Sequence, residues 1–64
     1  MNGTVVRLMR EKSFGFIKGD NKVEYFFHKS ALKNCRFEEL GEGQEVTFED
    51  ADGEKGPRAE DVYV

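Results

Sequence analysis

Short runs of alternating hydrophobic and polar residues, separated by glycine, asparagine and aspartate, make up most of this chain. Such alternation is typical of strands that bury one face, because successive side chains of a strand point to opposite sides of the sheet. Helical spacing of apolar residues is not sustained anywhere in the sequence. The pattern therefore predicts five strands, at residues 4–9, 14–18, 23–28, 45–51 and 59–64.

The connections between these strands favour a closed all-β domain. Residues 19–22 and 52–57 have the composition of tight turns, and residues 30–32 can form a single helical turn. Residues 33–44 form the longest connection, and a loop of this length in so small a domain is usually functional or packed as a lid. Five short strands favour a small antiparallel barrel, since closing the sheet leaves no strand edge with unpaired backbone hydrogen-bonding groups.

The second and third predicted strands divide their aromatic residues between the two faces of the sheet. One face carries three phenylalanines with three charged or polar neighbours: Phe14, Phe16 and Phe26, with Lys18, Glu24 and His28. A face with these neighbours is hard to bury without partners, so we expect the three phenylalanines to be exposed together. The alternative, in which they are core residues, turns the charges inward and is less favourable.

The opposite face then supplies the hydrophobic core. Its predicted members are Val5, Ile17, Tyr25, Phe27, Leu32, Leu40, Val46, Phe48, Ala59 and Val62. A chain of 64 residues has room for one such core, so residues 1–64 are expected to form a single domain.

Composition limits the cellular setting. The one cysteine, Cys35, cannot form an intramolecular disulfide, which favours a reducing compartment. No apolar run approaches the ~20 residues of a membrane span, and the N-terminal residues lack the pattern of a signal peptide. These features predict a cytoplasmic protein that does not interact with membranes.

Charge is distributed unevenly along the chain. The overall net charge is −3, but residues 1–36 hold eight basic and three acidic side chains, whereas residues 37–64 hold two basic and ten acidic ones. The positive half contains the aromatic strands. Basic and aromatic residues on one surface are typical of a nucleic-acid-binding groove, and the acidic remainder limits indiscriminate binding.

Two segments carry a family resemblance. Residues 12–17 (Lys-Ser-Phe-Gly-Phe-Ile) resemble the first ribonucleoprotein motif, and residues 25–30 (Tyr-Phe-Phe-His-Lys-Ser) the second, as arranged in bacterial cold-shock proteins. The likeness continues through residues 3–5, 30–32, 42–48 and 56–62. It implies a five-stranded oligonucleotide/oligosaccharide-binding (OB) barrel that binds single-stranded RNA or DNA on strands one to three and acts as an RNA chaperone or regulator of gene expression.

The same resemblance implies a set of binding residues. The stacking positions of the family fall on Phe14, Phe16, Phe26, His28 and Phe37, and Lys12 and Lys55 fall on positions that contact phosphate or sugar. Two departures replace family aromatics with charge, because Arg7 stands at a usual tryptophan and Lys29 at a usual phenylalanine. We therefore expect Arg7 and Lys29 to contact phosphates, and binding to be weaker and more salt-dependent than with the full aromatic set.

The expected partner is a pyrimidine-rich single strand bound by a monomer, with a weak dimer as the alternative. A rival function uses the same aromatic patch as a protein interaction or dimerisation surface. An enzyme is the least favoured class, since His28, Ser30 and Cys35 form no recognisable triad, and neither a cofactor nor a metal site is indicated by their spacing.

Overall fold

Five strands close into a barrel in the computed structural model, which describes residues 1–53 and 56–64. The strands are β1 (Asn2–Met9), β2 (Phe14–Gly19), β3 (Glu24–His28), β4 (Glu45–Gly53) and β5 (Gly56–Tyr63), and their order around the barrel is β1-β2-β3-β5-β4. The all-β OB barrel expected from the sequence is confirmed. The largest difference in the strand starts is at β5, which begins at Gly56 rather than at residue 59.

The barrel closes through a parallel contact. Among the strands of the described residues, β3 runs parallel to β5, where Phe26 pairs with Arg58, and the other neighbouring strands are antiparallel. A second parallel bridge, Leu32 with Val62, lies just beyond β3. The expectation of a wholly antiparallel barrel is wrong at this seam, because alternation within a strand does not indicate which distant strand lies beside it.

Two single 3₁₀ turns occupy the long connection between β3 and β4, at Lys29–Ala31 and Phe37–Glu39. The first lies one residue earlier than predicted, and the second was not predicted. In the second turn the Arg36 N–H donates to Glu39 Oε1 (3.0 Å), and the Leu40 N–H donates to the Phe37 carbonyl (3.1 Å). These bonds fix the turn so that Phe37 points into the barrel.

The core contains the side chains predicted from alternation, with one exchange. Its buried members are Val5, Ile17, Tyr25, Phe27, Phe37, Leu40, Val46, Phe48, Ala59 and Val62. Phe37 takes the place expected for Leu32, which is only half-buried. The alternative core of Phe14, Phe16 and Phe26 is therefore wrong, since these three rings lie outside the buried cluster.

A bulge in β1 determines which residues face outward beside the phenylalanines. The β1–β2 register shifts between Val5 and Arg7, so Arg7 lies opposite Phe16 rather than opposite Gly15. The two strands approach each other so closely here that a Cβ on Gly15 would lie 2.6 Å from the Arg7 carbonyl oxygen. Only glycine fits at this position without a shift of the backbone.

Like charges lie opposite each other on β4 and β5, where Glu49 pairs with Glu60. Arg58 offsets part of this repulsion through a 3.3 Å ion pair with Glu60. Because like charges in directly opposite strand positions are destabilising, Glu49→Gln should raise the free energy of unfolding in urea by about 0.2–1 kcal/mol. Glu38→Gln, at an exposed position outside the strands, is the matched control. Equal changes in the two variants would show that net charge, not the cross-strand pair, is responsible.

Candidate nucleic-acid interface

The outer face of β2 and β3 carries a cluster that we call the aromatic platform, consisting of Phe14, Phe16, Phe26 and His28. Antiparallel pairing places Phe16 opposite Phe26, and Phe14 opposite His28. The ring centroids of Phe14 and Phe26 are 5.2 Å apart, those of Phe16 and Phe26 5.9 Å, and those of Phe14 and Phe16 6.1 Å. These separations lie within the range of attractive aromatic contacts, so the three rings form one continuous apolar surface.

The rings of the platform support one another without being removed from solvent. Each phenylalanine is half-buried, and His28 is exposed. Phe16 meets both other rings at steep interplanar angles, 87° with Phe14 and 72° with Phe26, whereas Phe14 and Phe26 are tilted by 42°. Mutual edge contacts of this kind limit the rotation of each ring, so that little side-chain freedom remains to be lost when a ligand is bound.

The chain just after β3 fixes the orientation of His28. Its Nδ1 accepts a hydrogen bond from the Ser30 backbone N–H at 3.2 Å and lies 3.1 Å from Ser30 Oγ. A backbone N–H can only donate, so Nδ1 is the acceptor and the proton of the neutral ring is on Nε2. His28 therefore offers a hydrogen-bond donor, as well as a ring face, to a ligand on the platform.

Basic side chains surround the platform. Arg7 is exposed opposite Phe16, Lys12 is exposed in the β1–β2 turn, and Lys29 is exposed directly after His28. The role of these three residues as phosphate contacts stays a prediction. Lys55, the fourth predicted phosphate contact, lies outside the described residues.

Phe37 is not part of this exposed surface. The resemblance predicts a stacking ring here, but the side chain is only 6% exposed, and its centroid lies 6.2 Å from that of Phe27 in the core. The hydrogen bonds of the second 3₁₀ turn hold it in that position. The structure thus brings Phe14, Phe16, Phe26 and His28 together and places Phe37 elsewhere.

The sequence pattern did not predict two outward-facing neighbours of the platform. Met9 lies opposite Phe14 at the end of β1, and Arg58 lies beside Phe26 across the parallel seam. Alternation from the buried Val5 would place Met9 on the inner face, and it is the bulge in β1 that turns Met9 outward. No local signal identifies Arg58, because its position depends on how β5 meets β3.

Other reactive groups of the described residues do not form a second chemical site. Burial raises the pKa of the Cys35 thiol, and the negative charge of Glu39 raises it further, so the thiol is kept in its less nucleophilic protonated form. Within residues 1–53 and 56–64, no group of three or more His, Cys, Asp or Glu side chains could hold a metal ion. Of the helical segments described, none is long and apolar enough to cross a membrane.

Comparison with known proteins identifies the family. The model of the "'Cold-shock' DNA-binding domain" matches residues 1–64, the whole chain. The protein belongs to this cold-shock domain family. Similar relatives include "Cold shock protein 2" of Lactiplantibacillus plantarum (43% identical over 61 residues, covering 95% of this chain and 92% of the relative). "Cold shock-like protein CspLB" of Listeria monocytogenes is 45% identical over 60 residues, covering 94% and 91% of the two chains.

A further relative, "Cold shock-like protein CspB" of Bacillus cereus, is 42% identical over 62 residues and covers 97% of this chain and 95% of its own length. Membership in the cold-shock domain family establishes single-stranded nucleic-acid binding as the class of function. The aromatic platform on the barrel of this cold-shock domain provides a surface of the kind that such binding requires.

Proposed function

We propose that this cold-shock domain binds single-stranded RNA or DNA by stacking unpaired bases on the aromatic platform. The observation that supports this most strongly is the contact between three phenylalanine rings, at 5.2–6.1 Å, outside the core and beside exposed arginine and lysine. Within residues 1–53 and 56–64, the side chains enclosed by the barrel are those of the hydrophobic core. The ligand therefore lies across the outer surface of β1–β3.

Stacking explains why the ligand is single-stranded. Each base that stacks on an aromatic ring contributes about 1–3 kcal/mol, and every base has a face that can stack. In a duplex the bases are already stacked and their faces are covered, so the platform cannot reach them. Pyrimidine-rich strands are the proposed targets, because they stack weakly on themselves and cost less to splay out.

The polar groups around the platform position the strand. Arg7 and Lys29 attract the phosphates, and the planar guanidinium of Arg7 can also stack on a base. The Nε2–H of His28 donates to a base carbonyl or a phosphate oxygen. Because these contacts replace two stacking rings of the family pattern, charge contributes a larger share of the affinity and binding weakens more steeply with salt.

Weak, sequence-tolerant binding of unpaired strands suits an RNA chaperone or a regulator that keeps transcripts single-stranded. One chain forms the whole platform, so a monomer is sufficient for this activity. We place the activity in the cytoplasm, where the half-buried free thiol of Cys35 is compatible with reducing conditions.

The direct experiment is an anisotropy titration of a fluorescent uridine hexamer and of a blunt hairpin duplex, between roughly 50 and 200 mM salt. We expect the single strand to bind more tightly than the duplex, with affinity falling as salt rises. Equal affinity for both ligands, or no binding of the hexamer at the lower salt, would overturn the proposal. In the second case, concentration-dependent dimerisation that Phe26→Ala abolishes would favour a protein-interaction surface.

Arg7→Trp tests the exchange of stacking for charge. The substitution adds a ring opposite Phe16 and removes one phosphate contact, so the hexamer should bind about 1–3 kcal/mol more tightly and the salt slope should decrease by about one. Val6→Trp is the control. Val6 is the exposed residue just before Arg7, in the bulge, so this variant adds a ring at a position that is not paired with Phe16. Weaker binding by Arg7→Trp at every salt concentration would contradict this explanation.

A further inference from the structure

An open groove of about 530 Å³ lies at one end of the aromatic platform. It is lined by Leu8, Met9, Arg10, Glu11, Lys12 and Glu42. The groove adjoins the platform because Met9, one of its lining residues, lies directly opposite Phe14 in the β1–β2 ladder. Its volume falls in the ~300–1,000 Å³ range of small-molecule sites and is ample for one nucleotide.

Hydrogen bonds hold both sides of the groove in place. On one side, the β1–β2 turn is closed by the Lys12 N–H, which donates to the Met9 carbonyl at 3.1 Å. On the other, the loop that carries Glu42 is fixed by the Gly43 N–H, which donates to the Val5 carbonyl at 2.7 Å. Arg10 connects the two sides, because its Nη2 donates to the Leu40 carbonyl at 2.7 Å. The groove is therefore preformed in the free protein.

The lining differs chemically from the basic surroundings of the platform. Two residues of the lining, Leu8 and Met9, are apolar and half-buried, and the other four carry two carboxylates and two cations. The charges balance, so the groove does not select a phosphate group. A lining that combines apolar side chains with hydrogen-bonding groups instead suits the flat face and polar edge of a nucleobase.

The carboxylates determine which base fits. An ionised carboxylate only accepts hydrogen bonds, and it has two oxygens side by side. Guanine presents two neighbouring donors, N1–H and the N2 amino group, which match a carboxylate in a bidentate pair. Uracil and thymine present one N–H between two carbonyl oxygens, which a carboxylate repels.

We propose that this groove binds one guanine base at the end of a single strand whose other bases lie on the aromatic platform. Glu11 or Glu42 accepts the N1–H and N2–H bonds, Met9 covers the face of the ring, and Lys12 meets the adjoining phosphate. This assignment rests on the proposed function, since the platform must hold the strand that delivers the guanine. The aromatic platform stacks any base, and the groove adds one position at which a particular base is preferred.

The test compares RNA strands that differ in one terminal base. A uridine hexamer is extended by guanosine, inosine or uridine at its 5′ end and, in a second series, at its 3′ end. In at least one series the guanosine strand should bind roughly five-fold or more tightly than the uridine strand, with inosine intermediate because it lacks the N2 amino group. The ratio of the two affinities is the readout, so general charge effects cancel.

A double variant, Glu11→Gln with Glu42→Gln, should abolish this ratio while still binding the uridine heptamer. The matched control, Glu38→Gln with Glu45→Gln, removes two exposed carboxylates outside the groove and should keep the ratio. If the platform binds all strands with no preference for guanosine, or if the preference survives the groove double variant, the guanine assignment is wrong and the proposed function stands. If no strand binds, the proposed function itself fails.

Discussion

Replacing Phe26 with alanine should weaken binding of a uridine hexamer by about 1–3 kcal/mol, or roughly five- to 150-fold. Phe26 contacts both other phenylalanine rings of the platform. It is 5.2 Å from Phe14 and 5.9 Å from Phe16 by ring centroid, and it lies beside Arg58 across the barrel seam. Its removal eliminates one stacking surface and releases two others from their contacts.

Tyr63→Ala is the control for this prediction. Tyr63 is an aromatic residue with 47% exposure on β5, where it lies opposite Thr47 rather than beside the platform. We expect this variant to bind the hexamer like the parent protein. Titration by fluorescence anisotropy measures the affinity, and circular dichroism checks that both variants remain folded. Equal losses of affinity in the two variants would mean that bases do not stack specifically on the platform.

Replacing the next residue, Phe27, should instead remove the folded state. Phe27 is fully buried at the centre of the core and contacts the ring of Phe37. Truncating a buried phenylalanine to alanine costs about 3–5 kcal/mol, because apolar contacts are lost and a cavity remains. A domain of this size has only about 3–10 kcal/mol of total stability, so Phe27→Ala should be largely or wholly unfolded at moderate temperature.

Thermal unfolding followed by circular dichroism measures this effect, with Phe26→Ala as the comparison. The two substitutions remove the same side chain from adjacent positions on opposite faces of β3. We expect Phe27→Ala to lose far more stability than Phe26→Ala, which primarily affects binding. A cooperative transition for Phe27→Ala within about 1 kcal/mol of the parent would contradict its assignment to the core.

The division between these two faces was predictable from the sequence for a physical reason. A strand alternates strictly, and Glu24 and His28 share the parity of Phe26, so burying Phe26 would have required burying both of them. The same argument placed Ile17, Tyr25 and Phe27 inside, where the structure has them. Local side-chain chemistry thus predicted most of the core and the centre of the platform.

Features that depend on distant contacts were not predictable in this way. The burial of Phe37 follows from a 3₁₀ turn fixed by Arg36 and Glu39, and alternation gives no signal for such a turn. The position of Arg58 beside Phe26 follows from the parallel seam between β3 and β5. Likewise, the hydrogen bond from Arg10 to Leu40 joins residues thirty positions apart in the chain.

The central claim, that bases stack on the outer face of β2 and β3, is tested most directly by an NMR titration of ¹⁵N-labelled protein with a uridine hexamer. We expect the largest changes in amide chemical shift at Phe14, Phe16, Phe26 and His28, with further changes at Arg7. The acidic outer face of β4 and β5 around Glu49 should change little. Shifts concentrated around Glu49, with the four platform residues unaffected at saturation, would contradict the claim.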